Sequence, residues 1–71
     1  MKFLESITGF GDSILVPIDE IAHIVIKYTN GWEINIVGKG NDGFDLLECF
    51  QKDEDKATRR FEYIKKIIEA E

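Results

Sequence analysis

Cysteine, proline and histidine each occur once in this chain, and each scarcity excludes something. With Cys49 alone there is no internal disulfide framework and no cysteine-built zinc site, and a reducing compartment suits it. With His23 alone there is no second imidazole at a metal spacing, and no partner set for a Ser-His-Asp site. No apolar run approaches the ~20 residues that span a bilayer. The opening MKFLESITGFGDS lacks the apolar stretch of a secretory signal, so the expectation is a soluble, cytoplasmic protein. Cations are scarce as well: 9 Lys and Arg stand against 14 Asp and Glu, for a net charge of −5. Acids outnumber bases in both parts of the chain, six to three through Gly43 and eight to six from Phe44 onward. Sequence-independent nucleic-acid binding relies on Lys and Arg neutralising phosphates, so neither a nucleic-acid partner nor a membrane is expected.

What is present is enough for one domain of 71 residues with an ordinary apolar share of 44%. The longest segment with one period is Asp53–Ala70. There Ala57, Phe61, Ile64 and Ile68 recur at helical spacing, with Phe61 expected to be the largest helix side chain in the core. On the opposite side Asp55 stands four residues before Arg59, and Glu62 four before Lys66, the spacing of helical ion pairs. Asp53 is suited to cap the helix start, where Glu54 and Asp55 also favour the dipole.

Upstream the pattern is that of short strands. Lys2–Thr8 alternates, with Phe3, Glu5 and Ile7 on one side and Leu4 and Ser6 on the other, and Gly9–Asp12 is a turn. Ser13–Pro17 follows, and Pro17, which cannot donate to a ladder, belongs at a strand end or edge. Ile18–Ala22 makes a short helical turn or bend. His23–Tyr28 and Trp32–Val37 flank Asn30-Gly31, a pair that suits a type I′ hairpin with positive φ at both positions. Phe44–Phe50 is the last strand, its Phe44, Leu46 and Phe50 face interrupted by Glu48. The expected architecture is α+β: an antiparallel sheet of about five short strands, roughly residues 2–50, covered by one C-terminal helix, roughly 53–70.

No catalytic constellation emerges. Gly38-Lys39-Gly40-Asn41-Asp42-Gly43 spells G-x-G-x-x-G after a strand, but a dinucleotide fingerprint needs a helix to open at the third glycine, and FDLLECF reads as a strand. These glycines therefore read as hairpin-loop residues. Cys49 reads as a small core residue and His23 as a structural one. Asp53-Glu54-Asp55 is explained by a helix start rather than by a metal. Neither a metal nor a cofactor is expected, and the protein is expected not to be an enzyme.

Two features exceed what a minimal core needs. Tyr63 and Ile67 form a second apolar pair beside the main helix stripe, with Arg60 between the rows. Val25, Val37, Leu47 and Cys49 occupy the strand parity opposite to Ile24, Ile36 and Leu46, so both sheet faces carry apolar residues while one helix covers one face. Tyr63, Ile67, Arg60, Val25, Val37 and Trp32 are thus candidate interaction residues, with a protein partner or a homodimer as the occupant.

The run Val16-Pro17-Ile18-Asp19-Glu20-Ile21-Ala22-His23-Ile24 resembles the opening of small FlbD-like proteins, in which a β-meander is followed by a closing helix. The likeness spans Ser13 to Ile68 and rests on apolar pattern, with Asn30-Gly31 and Glu54–Phe61 in similar places. It implies the fold and no catalytic residue. The leading functional expectation is a non-catalytic protein-interaction module, such as a phage or mobile-element inhibitor of a host defence complex (anti-CRISPR-like, in the host cytoplasm) that occupies a partner surface. The alternatives are an oligomeric small-ligand binder using Trp32, Tyr28 and Lys39, or a small regulatory subunit of the FlbD-like kind.

Overall fold

The computed structural model describes residues 2–8, 11–41 and 43–70. The chain is α+β: five antiparallel strands in two sheets pack against one C-terminal helix. Strands β1 (Phe3–Ile7) and β2 (Ser13–Pro17) form a hairpin. A 3-10 turn at Ile18–Glu20 leads to β3 (Ile21–Tyr28), β4 (Trp32–Gly38) and β5 (Asp45–Gln51), a three-stranded meander. Helix α1 (Glu54–Glu69) closes the fold. The single five-stranded sheet expected from the sequence is therefore divided in two. The break falls at Pro17 and the 3-10 turn: the proline has no N–H to offer, and the turn redirects the chain before β3 begins.

The hairpin's hydrogen-bond alternation follows from its two ends. Thr8 N–H donates to the Asp12 carbonyl at 2.9 Å, and Ile18 N–H to the Lys2 carbonyl at 3.0 Å. In an antiparallel pair the bonded residues alternate. Leu4, Ser6, Ile14 and Val16 accordingly bond across the hairpin, while Phe3, Glu5, Ile7, Ser13, Leu15 and Pro17 turn their backbone groups outward. Pro17 thus occupies a position where no cross-strand donor is needed. Gly9 and Phe10, within the expected first turn, lie outside the described residues.

The two inner faces meet in one core. Leu4 and Val16 from the hairpin, Ile18 and Ile21 around the 3-10 turn, Ile34 and Ile36 from β4, and Ile64 from α1 are all buried. Helix and hairpin lie side by side over the inner face of the meander. Along α1, Ala57 and Ile64 are fully enclosed, whereas Phe61 and Ile68 are partly buried against the core. Ile64, not Phe61, is the deepest helix anchor, fully enclosed where Phe61 is only partly buried. Asp53 caps the helix as expected, its Oδ1 accepting from Lys56 N–H at 3.0 Å. Neither expected helical ion pair forms among the described residues; Arg59 Nε donates to the Asp55 carbonyl at 3.3 Å instead.

The β3–β4 turn differs from a type I′ hairpin. Tyr28 pairs with Trp32, leaving a three-residue loop in which Asn30 has φ +62° and Gly31 does not have positive φ. Glycine suits position 31 for another reason, close approach to the neighbouring strand. A Cβ there would stand 3.2 Å from the Cα of Gln51, the residue at the β4–β5 bulge that itself adopts φ +55°. In the β4–β5 loop a Cβ on Gly43 would fall 2.6 Å from the carbonyl oxygens of Gly38 and Lys39. The third glycine of G-x-G-x-x-G thus serves a tight strand connection, and the chain continues into β5 rather than a helix.

Candidate functional site

A polar network ties the two layers together beneath the most exposed apolar surface. Its centre is Glu48, which alternation on β5 directs into the core face beside Ile34. The Glu48 carboxylate is almost wholly buried, its side chain 6% exposed, and all its donors come from other elements. Ser6 Oγ of β1 donates to Oε2 at 2.7 Å. Arg60 of α1 donates through Nε to Oε1 at 2.9 Å and through a terminal nitrogen to Oε2 at 3.0 Å, a two-pronged pairing. The same terminal nitrogen reaches the Glu5 carbonyl at 2.7 Å. Glu5 is one of the residues whose backbone faces outward, so Arg60 fills part of the β1 edge that looks toward the helix. The Arg60 guanidinium also lies 5.6 Å from the centre of the Tyr63 ring.

This arrangement sets the hairpin's inner face, Leu4 and Ser6, into the protein and turns the other parity out. Phe3, Ile7 and Leu15 are 51%, 61% and 65% exposed. In the register Leu15 stands opposite Glu5 and diagonal to both Phe3 and Ile7, so the three apolar side chains surround Glu5, whose carboxylate accepts from Ser13 Oγ at 2.7 Å. Tyr63, 54% exposed, flanks Arg60 on the helix, while β1 flanks it on the other side. Tyr63, Phe3 and Arg60 are of the residue types enriched at the centres of protein interfaces, and Leu15 and Ile7 add apolar area beside them.

The sequence-derived candidates divide between this surface and other places. Tyr63 and Arg60 belong to it, but Arg60 is held by Glu48 rather than free. Ile67 turns partly inward against the core. Val25 and Val37 lie on the outer face of the meander as expected, in cross-strand rows His23–Val37–Asp45, Val25–Asn35–Leu47 and Lys27–Glu33–Cys49. That face is not continuously apolar. Asn35 stands between Val25 and Leu47, donating to the Asp45 carboxylate and, at 3.0 Å, to the Leu46 carbonyl. Cys49 is exposed on this face and His23 is exposed as well, which corrects the reading of Cys49 as a core residue. The same alternation that buries Glu48 turns its neighbour outward.

Trp32 is half-buried at the end of the meander, edge-on to Tyr28 with ring centres 5.3 Å apart. The expected ligand set of Trp32, Tyr28 and Lys39, for a pocket formed on oligomerisation, does not converge within one chain. Trp32 begins β4 and Lys39 follows its last residue, about 24 Å away at ~3.4 Å per strand residue. Lys52 takes the place beside Tyr28, its Nζ 2.7 Å from the phenol oxygen.

The trio Phe3, Leu15 and Ile7 was missed at the level of sequence, since apolar weight alone would put Phe3 and Ile7 inside and Ser6 outside. The deciding contact, Ser6 with Glu48, joins residues 42 positions apart. No three of the described His, Cys, Asp and Glu residues group as metal ligands. None of the described helices is long and apolar enough to cross a membrane. No family model, no curated protein and no solved structure matches the chain.

Proposed function

We propose that this protein is a non-catalytic interaction module that works by occupying a surface of a larger protein partner with the outer face of its hairpin. The observation that carries the reading is the trio Phe3, Leu15 and Ile7, each residue more than half exposed, beside Tyr63 and the fixed Arg60. Leaving three large side chains in water is unfavourable by about 25 cal/mol for each Å² a partner would otherwise cover. Their platform is preorganised by the Glu48 network, which lowers the ordering cost of binding. A net charge of −5 favours a partner with a basic rim or groove. Inhibition of a host defence complex by a phage-borne protein is one form of this reading, and a regulatory subunit of the FlbD-like kind another; both use the same contact.

The test is affinity capture from host lysate with the wild-type chain, a Leu15→Asp variant and a Leu47→Asp variant, Leu47 lying on the outer face of the meander. A stoichiometric protein retained by wild type and Leu47→Asp and lost with Leu15→Asp supports the proposal. Capture that is unchanged in Leu15→Asp, or a small molecule retained in native mass spectra with no protein, overturns it.

A further inference from the structure

We infer that the outer edge of β2 pairs with the same edge of a second copy, giving a weak two-fold dimer centred on Leu15. The reading goes beyond binding to a larger partner, and it rests on the edge rather than on the apolar face.

Strand edges that are left unpaired are usually protected by charge. Here β1 carries Glu5, with Arg60 already on its carbonyl; β3 carries His23 and Lys27; β5 carries Asp45 and Glu48. Strand β2, Ser-Ile-Leu-Val-Pro, has no charged residue, in a chain that is 32% charged. Among the described residues it pairs with β1 alone, and its other side presents the backbone groups of Ser13, Leu15 and Pro17.

That triplet is self-complementary about its middle residue. With antiparallel pairing across a two-fold axis at Leu15, the N–H and C=O of Leu15 meet those of the second copy's Leu15 in both directions. Ser13 N–H then meets the second copy's Pro17 carbonyl, and Pro17 is placed where its missing N–H forfeits only the return bond. No like charges face each other along the seam. The same operation on β1 would set Glu5 against Glu5 and displace Arg60. The apolar side chains also continue across the seam: Leu15 of each copy lies beside the other, and Phe3 and Ile7 extend the patch at both ends of a four-stranded β1-β2-β2-β1 sheet.

The seam is short, so its area falls at the small end of specific interfaces, and dissociation constants on the order of 100 µM are expected. Each copy carries −5, so added salt should strengthen the dimer by screening the repulsion, opposite to the behaviour of a salt-bridged contact.

The experiment is sedimentation equilibrium of the full chain from about 10 µM to 1 mM, on wild type, Leu15→Lys and Leu15→Glu. Leu15 is exposed enough that both variants should keep the wild-type circular dichroism spectrum. Wild type should rise from 8.2 kDa toward twice that mass. Each variant alone should dissociate at least tenfold more readily, because like charges meet on the axis, and an equimolar mixture of the two should restore association. A second measurement uses Leu15→Cys in a Cys49→Ser background. Directly bonded antiparallel residues have Cα atoms ~5.5 Å apart, within the ~4.4–6.8 Å span of a disulfide, so oxidation should give a covalent dimer. A wild-type protein monomeric at 1 mM, or association unchanged in both charged variants, overturns the inference. Lysate capture lost with Leu15→Asp from a strictly monomeric protein would leave the interaction function standing while removing the dimer.

Discussion

Replacing Arg60 by alanine strands a buried carboxylate, and the size of the effect can be worked from the contacts. Arg60 supplies two donors to Glu48, at 2.9 and 3.0 Å, and one to the Glu5 carbonyl at 2.7 Å. After truncation Glu48 keeps, among the described residues, the Ser6 hydroxyl alone. Removing one member of a buried pair costs ~3–5 kcal/mol, because the remaining charge stays desolvated. Arg60 itself is 24% exposed, so water enters on its side and the lower end applies, about 3 kcal/mol. A 71-residue domain has roughly 4–10 kcal/mol in total, so the variant should keep only about 1–7 kcal/mol. In urea, with a slope of about 1 kcal/mol/M for so small a chain, the midpoint followed by Trp32 fluorescence should fall by about 3 M. The companion is Ser6→Ala, Glu48→Leu and Arg60→Met together, which removes every polar member and should recover at least half of the loss. A loss below ~1 kcal/mol for Arg60→Ala, the value of a surface pair, would refute the view that this network is a buried tie between the layers.

Other substitutions test the packing. Ile64→Ala should destabilise by about 3–4 kcal/mol and Phe61→Ala by less, about 2–3, since Ile64 alone of the two is fully enclosed; equal thermal shifts would contradict that order. Gly43→Ala should cost about 2 kcal/mol or more by forcing its Cβ into two carbonyl oxygens, and unchanged melting would show that the loop relaxes freely. Asp53→Ala should cost about 1 kcal/mol through the lost helix cap, read as a fall in urea midpoint. Lys39→Ala should leave nucleotide titrations as flat as in wild type; saturable micromolar binding of ATP or NAD, lost in the variant, would overturn the reading of the glycine loop.

The helix and the meander were legible because their signals are local. The period of Ala57, Phe61, Ile64 and Ile68, the capping Asp53 and the alternation on either side of Asn30-Gly31 each need only a few consecutive residues. The division of the sheet was not legible, since it depends on β2 and β3 failing to pair around Pro17 and the 3-10 turn. Glu48 was visible as an interruption in an apolar face, but its meaning lies in Ser6 and Arg60, which reach it from other elements. That distant contact also decides which side of the hairpin is wet. Tyr63 and Arg60 could therefore be picked out from the helix alone, and Phe3, Ile7 and Leu15 could not.

The separation of the hairpin from the meander has a further effect, on how the native state opens. No backbone ladder runs from β2 to β3, so the hairpin is fastened by Leu4, Val16 and the Glu48 network rather than by a shared sheet. Amide exchange should consequently fall into two classes. The cross-hairpin amides of Leu4, Ser6, Ile14 and Val16 should exchange through a partial opening that leaves Ile34 and Ile36 protected. A partner seated on Phe3, Ile7 and Leu15 binds the less stable of the two units. Its arrival should slow exchange in the hairpin first and reach the meander amides only through their common core, so that deuterium uptake reports where the partner sits before any complex has been solved.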